Sequence, residues 1–250
     1  MKKNILDWTS NYNPTISIMY YHPETEQIAK WGRVVGLWVV ATWVFRRMSM
    51  GRIDRMFHSK RDSQQSSRAI VCIIDLCNFS TWCYDKSSEE VMRAMFKYNR
   101  FITQRLKRLP RLEKIELVGD CAMIVGWKSE SDGVVMREMS EFAMNMLQHI
   151  DTIRNIFGDH NISIRIGIHE GVTSCGFVSN PRKFQMFGST VNLASRIESA
   201  ASNGTCLVSD ESICDSVNLF CNITPKGLFK LKGVREEVSC SKLEPKTMVM

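Results

Sequence analysis

The eight residues Ala69–Leu76 (Ala-Ile-Val-Cys-Ile-Ile-Asp-Leu) are apolar but for one, Asp75. An unbroken run of this length, rich in Ile and Val, predicts a central strand with a carboxylate at its C-terminal end. A regular order of elements follows. Ser87 and Glu90 form a capping-box pattern, and Val91, Met95, Tyr98, Phe101, Ile102 and Leu106 recur at helical spacing up to Pro110. Lys114–Val118 and Cys121–Trp127 are two short strands joined across Gly119-Asp120, a hairpin signal. Val135, Met139, Phe142, Met146, Leu147 and Ile150 mark a second helix, Ile162–Ile168 a fourth strand and Val172–Val178 a fifth. The order is β-α-β-β-α-β with further elements after it, so the expected fold class is α+β with a ferredoxin-like core and C-terminal additions.

On that topology Asp75 and Asp120 belong to neighbouring central strands and face one spot at the sheet edge. Hard oxygen ligands so placed suit paired Mg2+ or Mn2+ ions, which clamp nucleotide phosphates. The plainer reading of either aspartate alone is a strand end or a turn filler.

Composition narrows the class. Of 250 residues 44% are apolar, which excludes a disordered chain. No stretch reaches the roughly 18 apolar residues of a membrane span, and nothing after Lys2 and Lys3 reads as a cleavable signal. Residues 1–67 hold ten Lys/Arg against five Asp/Glu, whereas 68–250 hold 23 against 21. The basic excess lies chiefly in Arg46, Arg47, Arg52, Arg55, Lys60 and Arg61. Trp31, Trp38 and Trp43, with flanking Lys30, Arg33, Arg46 and Arg47, resemble an interfacial anchor, so residues 31–61 are a candidate for contact with a membrane surface. A buried helix or strand, packed on the main domain or at a dimer interface, is the alternative. The basic segment lacks aromatic interleaving, and no nucleic-acid partner is expected. Residues 59–67 carry no apolar side chain, which divides the chain into an N-terminal segment with linker (1–67), a main domain (68–245) and a tail (246–250). Nine cysteines without a C-x-x-C pair point to a reducing compartment, and His22, His58, His149, His160 and His169 show no zinc-ligand spacing. The expected location is cytoplasmic, with the N-terminal segment as a means of membrane association.

Five motifs then make the main domain identifiable by resemblance. They are Ile73-Ile74-Asp75-Leu76-Cys77-Asn78-Phe79-Ser80, Lys114–Asp120, Ile164–Gly171, Phe187-Gly188-Ser189-Thr190-Val191-Asn192-Leu193-Ala194-Ser195-Arg196-Ile197-Glu198, and Lys226–Gly233. In this order and spacing they resemble the class III nucleotidyl cyclase catalytic domain over roughly 68–245. The resemblance implies closure of a ribonucleoside triphosphate to a 3′,5′-cyclic monophosphate with release of pyrophosphate. It implies two divalent cations, Mg2+ or Mn2+, held by Asp75, Asp120 and the backbone carbonyl of Leu76. Phosphate contacts would come from the backbone around Phe79 and Ser80 and from Arg165 and Lys232. Asn192 and Arg196, four apart on a helix, match the pair that orients the ribose and stabilises the transition state. In the family the metal carboxylates come from one subunit and this pair from the other. A chain holding both sets is expected to act as a homodimer.

By the same resemblance Glu116 and Gln185 read the base. A carboxylate at 116 accepts from guanine N1–H and N2–H2 and repels the lone pair on adenine N1, which favours GTP; Gln185 suits either purine. Uracil presents a similar N–H/carbonyl edge, so ATP to cyclic AMP and UTP to cyclic UMP stand as alternatives, as does a catalytically silent regulatory module. Departures from the family pattern are Asn78 for a glycine, Ala122 for an aromatic and Ser189 for an acidic residue or Asn. None removes a metal ligand or a phosphate contact.

Overall fold

The computed structural model describes residues 65–128, 133–178, 183–219 and 221–246. The expectations for residues 1–64, including the Trp-rich stretch, lie outside them. β1 (Gln65–Cys77) leads through α1 (Phe79–Cys83) and α2 (Ser88–Leu106) to the hairpin of β2 (Leu112–Val118) and β3 (Cys121–Trp127). Then come α3 (Gly133–Gln148), α4 (Ile150–Phe157), β4 (Ser163–Val178), β5 (Lys183–Phe187) and α5 (Ser189–Ala200). β6 (Thr205–Ser209), β7 (Cys221–Phe229) and β8 (Val238–Pro245) complete the eight-stranded sheet, in the order β2-β3-β1-β4-β6-β8-β7 with β5 paired to β4. The segment β2-β3-β1-β4 is the expected ferredoxin-like order, and β6, β8, β7 extend it on the β4 side.

β1 is apolar from Ala69 to Ile74 because both its faces are covered there. Ile70, Cys72 and Ile74 pack with Tyr98, Ile102, Met139, Phe142 and Ile153 of the helices. Ala69, Val71 and Ile73 pack on the other face with Val125, Phe177, Phe184 and Met186, the last three from β4 and β5. The β4–β5 hairpin therefore folds over the face that the helices leave open, and Asp75 continues the series that points to it. The capping box forms as expected: Ser87 Oγ accepts from the Glu90 N–H at 3.2 Å, and Glu90 accepts from the Ser87 N–H at 2.8 Å.

Three local expectations are corrected. Polar Gln65, Ser66 and Ser67 do not belong to a linker; they begin β1, opposite Cys175, Ser174 and Thr173. The fourth and fifth strands are one continuous β4 of 16 residues, because β1 pairs with it without a break from Ser163 to Cys175. The second helix is two, α3 and α4, separated at His149, whose ring Nδ1 contacts the Asn145 carbonyl at 2.8 Å.

Candidate active site

β1 and β4 run antiparallel with Asp75 directly opposite Arg165. Arg165 Nη2 donates to Asp75 Oδ2 at 2.7 Å, and its Nε lies 3.0 Å from Glu198 Oε1. α5 reaches Arg165 because it rests on bare backbone: a Cβ at Gly167 would fall 2.2 Å from the Glu198 nitrogen and 2.5 Å from the Ala194 carbonyl oxygen. Asp120 sits in the β2–β3 turn after Gly119, whose φ of 72° favours glycine. Burial first, then the charge on Asp75, pushes the Asp120 carboxyl up to about 6. The same two causes push buried Glu198 up to about 7. Two aspartates whose charges oppose each other, beside one shared guanidinium, are a hard-oxygen donor set that fits a divalent cation.

The turn after β1 is anchored from below. Asn78 takes the left-handed conformation (φ 66°), as expected of the residue in the family's glycine position, and its side-chain amide donates to the Asn161 carbonyl at 2.8 Å. Trp82 Nε1 donates to the Phe157 carbonyl at 2.8 Å, and the Trp82 and Phe157 rings meet edge to face at 5.0 Å. The Phe79 ring is buried in this cluster, whereas Ser80 is exposed.

The other expected residues lie apart. Asn192 and Arg196 are exposed on α5, about 120° and 160° around the helix from Glu198. Thr190 Oγ1 donates to the Val172 carbonyl at 2.7 Å and fixes the start of that helix. Lys232 is exposed between β7 and β8. Glu116 lies on edge strand β2 beside a bulge, and Gln185 lies on β5 opposite Gly176. Two residues of consequence escaped the sequence reading. Lys183 donates to Glu116 from two positions before Gln185, on the same face of β5. Glu198 is the other: it ends the fourth motif, and its one signal in the sequence is a charge on the buried face of an amphipathic helix.

The structure is an α+β domain with a split βαβ sheet and two opposed aspartates at one end of its central strands. Comparison with known proteins gives its family. The sequence pattern of the adenylate and guanylate cyclase catalytic domain matches residues 62–245, and the chain belongs to that family. It is 30% identical over 128 residues to the human guanylate cyclase soluble subunit beta-2, covering 51% of this chain and 20% of that protein. It is also 30% identical over 154 residues to the germination-specific adenylate cyclase of Dictyostelium discoideum, covering 59% and 18%. The chain thus spans about a fifth of these relatives' lengths. The fold superposes on the adenylyl cyclase CyaB of P. aeruginosa with a TM-score of 0.68 at 21% identity, covering 75% of this chain and 99% of that one. It superposes on the guanylate cyclase domain of RhGC from Catenaria anguillulae, solved in complex with GTP, with a TM-score of 0.66 at 23% identity, covering 73% and 100%.

Proposed function

We propose that this chain converts GTP to 3′,5′-cyclic GMP and pyrophosphate at sites shared between the two chains of a homodimer. The observation that carries the reading is the Asp75–Asp120 pair. Divalent cations held by these carboxylates and the Leu76 carbonyl would supply Lewis-acid activation of the 3′-OH and charge neutralisation on the phosphates. Within one chain Asn192 and Arg196 lie about 120° and 160° around α5 from Glu198, the residue that meets Arg165 beside Asp75. Two chains facing each other would bring one chain's aspartates to the other's Asn192 and Arg196. There Arg196 would stabilise charge developing on the α-phosphate, and Asn192 would orient the ribose. Arg165 and Lys232 would hold the remaining phosphate oxygens.

Glu116 supports guanine, since its carboxylate matches two adjacent donors on that base, and a buried mismatch costs about 1–3 kcal/mol. One observation favours a second reading, ATP to cyclic AMP: Lys183, in contact with Glu116, offers a donor for adenine N1 while Glu116 accepts from N6–H2. Purified protein with Mn2+ and GTP, ATP, UTP or CTP in turn, with cyclic products resolved by chromatography, separates these readings. Cyclic GMP is expected to dominate. A dominant cyclic AMP or cyclic UMP product overturns the guanine assignment, and no product from any triphosphate overturns the activity.

A further inference from the structure

From Val91 to Leu112 the chain carries seven Lys/Arg and no Asp/Glu, an imbalance as large as the net charge of +7 of the whole protein. Residues 91–106 of this stretch belong to α2, and Lys107, Arg108 and Arg111 follow it. The buried residues of α2, Val91, Ala94, Met95, Tyr98, Phe101, Ile102 and Leu106, form the face turned to the core. At 100° per residue, Arg93, Lys97, Arg100 and the C-cap Lys107 fall within an arc of about 80° on the opposite face, along about 21 Å, and Arg108 follows in the turn after the helix. Helical geometry persists through Lys107, with φ −58° and ψ −27°.

The carboxylates of the first turn of α2 and Glu138 of α3 are already engaged. Glu89 accepts from Arg93 at 2.7 Å, Glu90 is taken up in the capping box, and Glu138 of α3 accepts from Arg111 at 2.9 Å. Arg105 lies over the Phe101 ring at 3.6 Å. Lys97, Arg100, Lys107 and Arg108 remain exposed, without a carboxylate partner among the described residues. Glu89 and Glu90 fall on the same side at the start of α2, where Arg93 and the capping box engage them; from Arg93 onward the charged side chains of this face are all cationic, and four of them are uncompensated.

We propose that the exposed face of α2 is a docking surface for a bilayer bearing anionic lipid headgroups. The stripe runs along the side of the helix opposite its buried residues, which suits a planar charged surface. It carries no exposed aromatic side chain on which a nucleic-acid base would stack. The face lies across the sheet from the β4–β5 hairpin, so a lipid-bound chain keeps that side of the domain uncovered. The surface is independent of the cyclase reading, and its occupancy does not depend on turnover.

The test is co-sedimentation of the full chain with vesicles of phosphatidylcholine containing about 30 mol% phosphatidylserine, and with phosphatidylcholine alone, at about 0.1 M salt. The wild-type chain is expected to bind the anionic vesicles only. The quadruple variant K97Q/R100Q/K107Q/R108Q is expected to bind them at least about 100-fold more weakly, at roughly a factor of five per charge. The charge-reversed set K97E/R100E/K107E/R108E should bind more weakly still, and circular dichroism melting identifies whichever set remains folded. A comparator with Trp31, Trp38 and Trp43 changed to Ser separates the N-terminal segment. Binding lost in that comparator but unchanged in the folded quadruple variants overturns the proposal, as does wild-type protein that ignores both vesicle types. Displacement from vesicles by polyuridylate, with RNA affinity lost on the same four substitutions, assigns the face to nucleic acid and overturns it as well.

Discussion

Arg165 donates to Asp75 at 2.7 Å from the position directly across the β1–β4 ladder, while its other edge lies 3.0 Å from buried Glu198 of α5. One guanidinium thus ties the first strand, which carries a proposed metal ligand, to the helix whose outer face carries Asn192 and Arg196. Four ionisable side chains (Asp75, Asp120, Glu198 and Arg165) set the electrostatics of this corner, and three of them are acidic.

Replacing Asp120 by Ala removes one of the two hard-oxygen donors and relieves the repulsion between them. Turnover with Mn2+ is expected to fall by about 100-fold or more. The unfolding midpoint without metal should hold or rise, because a partly buried, raised carboxyl is lost. Steady-state kinetics beside a urea titration checks both, and wild-type turnover in the variant contradicts the metal assignment.

Stability without metal should depend on pH in a defined direction. Asp120 stands at about 6 and Glu198 at about 7, both raised above the ordinary carboxylate range first by burial. Between about pH 4 and pH 7 these groups therefore bind more protons in the folded chain than in the unfolded one. Their contribution to stability is full at the acid end of that window and is lost as pH rises through about 6 to 7. Asp120→Asn removes one of the two groups, so urea midpoints at pH 5 and 7.5 should differ less in the variant than in the wild type. An undiminished difference contradicts the assignment.

Much of this arrangement is legible in the residues themselves. The apolar run of β1 announces burial on both faces, and Ser87 with Glu90 announces the start of α2, because each feature is local. What is not legible depends on distant partners. The expected gap between Ile168 and Val172 is not there, since the chain runs straight through Gly171; a Cβ there would lie 2.5 Å from Thr190 Oγ1 of α5. The break at His149 interrupts no apolar periodicity, since Leu147, Ile150 and Ile153 continue it. Lys183 meets Glu116 across 67 positions of sequence, a contact that only the folding of β5 over the sheet creates.

Gly167 gives the clearest test of packing. Alanine at this position would press its methyl group into the backbone of α5, at 2.2 Å from the Glu198 nitrogen. Backbone cannot turn aside as a side chain can, and the expected loss is about 1–3 kcal/mol or somewhat more. Chemical denaturation measures it; a neutral substitution would mean that α5 does not rest on β4 this closely.

Base choice turns on Glu116. Glu116→Lys sets a second ammonium beside Lys183 and removes the acceptor for guanine N1–H. The kcat/KM for GTP is expected to fall about 10- to 100-fold, with less loss for ATP. An unchanged GTP rate shows that Glu116 does not touch the base.

The division of the site between two chains is the central claim, and complementation tests it most directly. Asp120→Ala and Arg196→Ala should each be inactive alone. When the two are co-expressed in equal amounts, half the dimers pair unlike chains, and each such dimer holds one intact site and one doubly damaged site. The account predicts recovery of about a quarter of wild-type cyclic nucleotide formation. No recovery, from a mixture shown to contain the mixed dimer, would place the aspartates and Arg196 in the same chain's site and contradict the account.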